Sequence, residues 1–422
     1  MVRGKQEEDL TDIRKHYDSV AGDRDRWKAG NSYFYKELES FYRFQIPEGS
    51  SVLEIGCGTG DLLASMRPSR GVGVDISPEM VKIASARYPD MDFREMDASL
   101  ETFEETFDHI ILSSLLGELD DIQIFLDNLK SATHPGTRII VDYYNYLWEP
   151  ILKFGERTGM KMPQRLQNWL PLDDIENLFY LAGYDIIKKG YRVLFPKYIP
   201  LISYFFNHIV ARLPFFRRLS LLEVMVARVK RTPREILSGQ YTCSIVVPCK
   251  DEEGNIGPAI ERTPQMGMHD EIIFVDGNSK DGTVAEIERV IREYPDRDIK
   301  LIHQGDGVGK GDAVRKGFAA ADGDILMILD SDLTVPPEDL PKFYKAIVSD
   351  RGEFINGSRL VYPMRKGAMR FLNLLGNRLF SHLFTGILEQ RFSDTLCGTK
   401  VLFRKDYEKI CSGRSFFGEF DP

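Results

Sequence analysis

Short apolar runs alternate with helical patterns through the first 190 residues. SVLEIGC (51–57), RGVGVDI (70–76), DHIILSS (108–114) and TRIIVDYY (137–144) read as strands. DLLASMR, PEMVKIASARY and IQIFLDNLKSA lie between them with apolar residues at helical spacing. Near-continuous apolar strands separated by helices predict a parallel sheet covered on both faces. The rhythm breaks after residue 190 and resumes at Cys243. CSIVVPC, EIIFVDG, IKLIHQG and DILMILD then read as four further strands. The pattern divides the chain into an α/β part over 1–190, a connector over 191–238 and a second α/β part over 239–422.

The connector is basic and aromatic, with Arg212, Arg217 and Arg218 interleaved with Tyr204, Phe205 and Phe215. Pro200 and Pro214 bracket an apolar run that holds His208 and Arg212 and is short for a bilayer span. An amphipathic helix at a membrane surface and a helix packed on its neighbours both suit it.

A length of 422 residues allows two or three domains, each with its own core. The net charge of −9 argues against nucleic acid as a general partner. The five cysteines are scattered without a Cys-x-x-Cys pair, which speaks against structural zinc and for a reducing, cytoplasmic setting. Residues 1–40 are polar and charged, unlike a signal peptide.

In the first part, VLEIGCGTGDLL runs from a strand through a glycine-rich turn into a helix. Gly56, Gly58 and Gly60 leave room for a ligand to approach the backbone. A second strand ends in Asp75, placed to accept from ribose hydroxyls, and Asp97 follows a third apolar segment. The third glycine comes one residue too early for a dinucleotide fingerprint. Over about residues 45–190 this arrangement resembles the class I S-adenosylmethionine-dependent methyltransferases. The resemblance implies a Rossmann-like fold, with Glu54 near the methionine end of the donor, Asp75 on the ribose and Asp97 at the adenine amine. His16, Tyr17, Tyr143, Tyr144 and Trp148 are candidates to line an acceptor pocket, or simply to pack. The methyl acceptor and the base stay open, as does a first part that binds without catalysing.

In the second part, ILMILDSDLT carries Asp330 and Asp332 at a strand end, where alternation would put both carboxylates on one side. Two close carboxylates call for a cation or for donors. An acidic turn capping the helix that starts at Pro336 is the plainer reading of these residues alone. However, SIVVPCKDEEGNI, EIIFVDGNSKDGT, GVGKGDAVRKGF and LDSDLT follow in order. Together, over 241–422, they resemble the family 2 glycosyltransferases of the GT-A fold, which implies an inverting enzyme using a GDP- or UDP-sugar with Mg²⁺ or Mn²⁺. The resemblance puts Pro248, Asp251 and Glu252 on the nucleotide, Asp276 at the base and Lys310 near the phosphates. It makes Asp330 and Asp332 the metal motif, with Asp332 the direct ligand. Gly277 replaces a second aspartate common in the family, which leaves the base open. Gly311 stands where a Walker loop would need Ser or Thr.

The segments after Gly357 resemble the polyprenyl-phosphate branch of that family, the dolichyl-phosphate mannose synthase type. Arg359, Arg370 and Asn377, then Asp394, Gly398 and Lys400, match its motifs, whereas Cys397 and Thr399 depart from them. The resemblance implies a lipid-phosphate acceptor guided by Arg359, Arg370 and Lys400, and contact at the cytoplasmic face of a membrane. A sugar hydroxyl acceptor would instead need a carboxylate base, for which Glu419 and Asp421 are the candidates. The chain stops just after them, so a continuation beyond residue 422 is expected. The whole reads as a bifunctional enzyme, or as a glycosyltransferase with a non-catalytic methyltransferase-like module.

Overall fold

The apolar runs form two separate sheets. The computed structural model describes residues 2–164, 168–213, 215–230, 241–357, 380–381, 383–385 and 397–412. The chain divides into two units, with the division after Lys230.

The first unit holds β1 (Ser51–Ile55), β2 (Arg70–Asp75), β3 (Asp92–Glu95), β4 (Phe107–Ser113), β5 (Thr133–Tyr144), β6 (Tyr184–Arg192) and β7 (Leu222–Val229). Their order is β3-β2-β1-β4-β5-β7-β6. The first five are parallel, and β7 runs antiparallel to both of its neighbours. The helices are α1 (Val2–Ala21), α2 (Arg24–Gly30), α3 (Ser32–Gln45), α4 (Asp61–Ser65), α5 (Pro78–Arg87), α6 (Ile122–Leu129), α7 (Glu149–Arg157), α8 (Leu172–Leu181) and α9 (Ile202–His208).

Helix α6 shows why these segments fold as they do. Asp121 caps it by accepting from the Ile124 N–H, and Ile122, Phe125, Leu126 and Leu129 form one buried stripe. That stripe packs with Ile175 and Phe179 of α8 on one sheet face. Phe34, Leu38 and Phe41 of α3 cover the other. The result is a three-layer sandwich.

The connector expected over 191–238 needs correction. Leu222–Val229 is a buried strand between β5 and β6. With both faces covered it lacks alternation, and the basic stretch before it concealed its character. Among the described residues no helix is long and apolar enough to cross a membrane.

The second unit holds β8 (Cys243–Cys249), β9 (Asp270–Asp276), β10 (Asp298–His303), β11 (Ile325–Ile328), β12 (Phe354–Asn356) and β13 (Lys400–Phe403), in the order β10-β9-β8-β11-β13-β12. The first four are parallel, and β13 pairs antiparallel with β11 and β12. Its described helices are α10 (Glu253–Arg262), α11 (Thr283–Glu293), α12 (Gly309–Ala319), α13 (Leu340–Val348) and α14 (Arg404–Ser412). Ile256, Ile260, Ile287 and Val290 from α10 and α11 share one core with the sheet. Ala313 and Phe318 of α12 cover the opposite face.

Helix α12 lies unusually close to β8. A Cβ on Gly317 would stand 2.4 Å from Val246 Cγ1. Gly317→Val should therefore destabilise the second unit by about 2 kcal/mol or more, because overpacking and poor helix propensity act together. Urea unfolding of that unit measures the loss.

Candidate active sites

Among its parallel strands, each sheet changes its winding direction once. In the first, β1 leads outward to β2 and β3, and the chain then crosses back to β4. In the second, β8 leads to β9 and β10 before the return to β11. Ligands of open α/β sheets bind beyond the carboxyl ends of the strands at such a point. In the first unit a cavity of about 200 Å³ lies there, lined by Gly56 after β1, Asp75, Asp97 and Ser114, with Tyr17 and Arg24 from the amino-terminal helices.

The turn after β1 is built on left-handed backbone. Gly56, Gly58 and Gly60 have φ of +72°, +52° and +78°. A Cβ on Gly58 would fall 2.7 Å from the Arg24 guanidinium, and one on Gly60 2.7 Å from the Phe93 ring. The turn is held by Asp75, whose two oxygens accept from the N–H groups of Gly58 (2.8 Å) and Ser77 (2.9 Å). Burial raises the Asp75 carboxyl above its ordinary range against these two bonds. Glu54 is buried in β1 and accepts from the Leu63 N–H at 2.9 Å, so it braces the start of α4. Burial pushes its carboxyl up to about 8, opposed by Lys28 and the Leu63 N–H.

Two polar atoms beside the cavity have no protein partner. Asp97 Oδ1 accepts from the Ser99 N–H at 2.9 Å, but its Oδ2 is buried and unpaired. Arg24 Nε is likewise buried and unpaired. A buried carboxylate oxygen and a buried guanidinium nitrogen left open suit a ligand carrying an amine and a carboxylate.

In the second unit the loops after β8 and β9 clasp each other. The Asp251 N–H donates to Ser279 Oγ (3.0 Å), and the Lys280 N–H donates to Asp251 Oδ1 (2.6 Å). The Glu252 N–H donates to Thr283 Oγ1 at 2.8 Å. Asp251 holds φ of +56° to make this turn. Asp276 is buried at the end of β9, accepts from the Ser279 N–H at 3.1 Å and lies 3.6 Å from His303 Nδ1. Pro248 is buried in β8 in register with Val275.

Strand β11 ends at Ile328, before the acidic pair. The alternation expected to align Asp330 with Asp332 therefore does not reach them. A turn closed by the Leu333 N–H on the Asp330 carbonyl (3.0 Å) presents them instead. Lys310, in the first turn of α12, pairs with Asp330 Oδ1. Asp332 is exposed, with Oδ1 accepting from the Thr334 N–H at 3.0 Å. Among the described residues no three metal-ligating side chains converge. Two carboxylates, one already neutralised by an ammonium, fit a hard divalent ion that takes its remaining ligands from a bound phosphate.

Two family models match the chain, "Methyltransferase domain" over residues 28–189 and "Glycosyl transferase family 2" over 244–411. The chain joins a methyltransferase domain to a family 2 glycosyltransferase domain. Their sheets are Rossmann-like and GT-A-like α/β folds respectively. The dolichol-phosphate mannosyltransferase of Saccharomyces cerevisiae is 36% identical over 109 residues, 25% of this chain and 40% of that protein. The undecaprenyl-phosphate 4-deoxy-4-formamido-L-arabinose transferase of Photorhabdus laumondii is 31% identical over 140 residues, 31% of this chain and 42% of that protein. The chain thus spans less than half the length of these relatives. A solved SAM-dependent methyltransferase from Thermotoga maritima is 16% identical, with 52% of this chain and 100% of that chain covered and a TM-score of 0.41.

In the glycosyltransferase domain, antiparallel pairing of β13 with β11 brings the 397–400 segment to the acidic turn. A Cβ on Gly398 would fall 2.0 Å from Asp330 Oδ2, so a larger residue there would have to displace that carboxylate. Lys400 bonds the Cys397 carbonyl. Arg359, Arg370, Glu419 and Asp421, with Asn377 and Asp394, lie outside the described residues.

In the methyltransferase domain, Tyr17 alone of the five candidate aromatic residues lines the cavity, where it donates to Glu118. The His16 ring bonds the Pro163 carbonyl, Tyr143 accepts from the Leu170 N–H, and Trp148 donates to the Leu219 carbonyl. Arg24 and Glu118 were not foreseen. Arg24 sits in the charged run GDRDRW, before the matched segment, with nothing to mark it locally.

Glu54 carries a pH signature. The folded chain keeps its proton up to about pH 8, whereas its ordinary value is 4.5. Between those values the folded state binds more protons than the unfolded state, so this group's contribution to stability falls as pH rises. Thermal melts of the wild type should show that decline, and Glu54→Gln should flatten it.

Proposed function

We propose that the chain is bifunctional and works at the cytoplasmic face of a membrane. Its second domain transfers a sugar from a GDP- or UDP-sugar to a polyprenyl phosphate, with Mg²⁺ or Mn²⁺. Its first domain transfers a methyl group from S-adenosylmethionine to a separate acceptor. The observation that supports the sugar transfer is the grouping of acids at one end of the second sheet. The clasped Asp251–Glu252 loop follows β8, Asp276 ends β9, and the Lys310–Asp330 pair and Asp332 follow β10 and β11.

In this reading Asp276 and the Asp251–Glu252 loop seat the nucleoside. Asp332 and Asp330 hold the metal, which when bound neutralises charge developing on the departing diphosphate. Lys310 adds a cation beside the same phosphates. A lipid phosphate is already an anion, so it needs cations rather than a base, and Arg359, Arg370 and Lys400 supply them. In the first domain Asp75 takes the ribose, Asp97 Oδ2 the adenine amine and Arg24 the methionyl carboxylate. The sulfonium brings its methyl already activated, so the protein's task is alignment of the acceptor.

A panel of nucleotide-sugars with polyprenyl phosphate should give metal-dependent product in the organic phase. Asp332→Asn should lower its turnover by roughly 10²–10³. Transfer to free sugar hydroxyls alone would overturn the lipid acceptor and turn attention to Glu419 and Asp421. Calorimetry should show S-adenosylmethionine binding that Asp75→Ala weakens by about tenfold or more, as expected for losing a charge-assisted contact. No heat from the wild type would leave the first domain a non-catalytic module.

A further inference from the structure

The stretch between β6 and β7 of the methyltransferase domain folds inside out. On α9, Ser203 is buried, its hydroxyl accepting from the Ile199 N–H and donating to the Lys197 carbonyl. Asn207 is tied to Tyr33 and to both backbone groups of Phe195. The apolar side chains face away from the body. Leu201 is 87% exposed, Tyr204 62% and Phe205 49%. Leu201 also holds a left-handed φ of +65°, a conformation disfavoured for any residue with a side chain. The turns that follow continue the pattern, with Phe215 at 73% and Leu213 at 49%.

This surface is joined to a second exposed apolar strip. Trp148 Nε1 donates to the Leu219 carbonyl and Asn145 Nδ2 to the Arg218 carbonyl, both at 2.8 Å. These bonds fix the stretch against the turn that leads into α7, where Ile151 and Phe154 stand exposed one turn apart. The strip follows the carboxyl end of β5, the same edge of the sheet that carries the cavity.

Charge distinguishes the patch from ordinary exposed apolar surface. No aspartate or glutamate stands between Asp185 and Glu223 in a chain whose net charge is −9. Lys197, Arg212 and Arg218 are exposed within it. We infer that this surface docks on an anionic lipid bilayer, with α9 and the turns after it seated among the headgroups. Apolar side chains set among cations, with the polar ones turned inward, are what an interfacial element requires. A second copy of the chain fits less well, since face-to-face pairing would crowd the arginines together. The inference deepens the membrane-face reading above and rests on it for the presence of lipid.

Sedimentation of the full chain with vesicles tests it. Vesicles of phosphatidylcholine and phosphatidylglycerol in equal parts should carry the protein down, and phosphatidylcholine alone should not. Leu201→Ser combined with Phe205→Ser and Phe215→Ser, and separately Arg212→Glu with Arg218→Glu, should each weaken binding by about tenfold or more. Added salt should weaken the wild type in the same direction. Equal binding of wild type and both variants would overturn the proposal. So would a lipid-free dimer of the wild type that the serine variant abolishes, which would make the face a contact between copies. Both variants should still glycosylate a water-soluble, short-chain polyprenyl phosphate. If the wild type itself fails there, the acceptor reading fails while the docking result stands.

Discussion

A sheet that winds in one direction and then in the other must leave a crevice where the two directions part. Crossovers depart to opposite faces at that point, and no helix covers the ends of the two central strands. Both halves of this chain obey the constraint, at β1 and β4 in one and at β8 and β11 in the other. What each half can do chemically depends on which residues its loops deliver there.

Both crevices receive acids placed by backbone rather than by other side chains. Asp75 is fixed by two N–H groups, Asp276 by that of Ser279, and Asp332 by that of Thr334. A carboxylate has about four acceptor positions, so one or two backbone bonds set its direction and leave capacity for a ligand. The two halves differ in what balances the charge. In the methyltransferase domain burial itself raises Asp75 and Glu54, and Arg24 stands over the glycine turn. In the glycosyltransferase domain Asp276 is buried, whereas Asp332 is exposed and Lys310 partners the half-buried Asp330.

The strands that carry these acids were legible because parallel, doubly covered strands are nearly pure apolar runs. So were the glycine turn and the order of acidic loops, since both are local in the chain. Other features depend on distant contacts and left no local trace. Leu222–Val229 joins the first sheet only by pairing with β5 and β6, and its neighbours made it look like part of a basic connector. Arg24 reaches the cavity because α2 packs over Gly58, which spacing cannot show. The end of β11 at Ile328 replaced strand alternation by a turn at Asp330 and Asp332, a boundary that depends on the Leu333 backbone bond. The exposed side of α9 was half legible. Its mix of aromatic and basic residues stood out, but the inward direction of Ser203 and Asn207 did not.

We propose a diphosphate site at the carboxyl ends of β8 and β11, where Asp330 and Asp332 hold a metal only together with its ligand. Electron paramagnetic resonance of Mn²⁺ tests this without any acceptor or turnover. Mn²⁺ should bind weakly to the protein alone and much more tightly when GDP or UDP is added, and Asp332→Asn should lose that gain. Tight Mn²⁺ binding that is indifferent to nucleotide, or unchanged by Asp332→Asn, would contradict it.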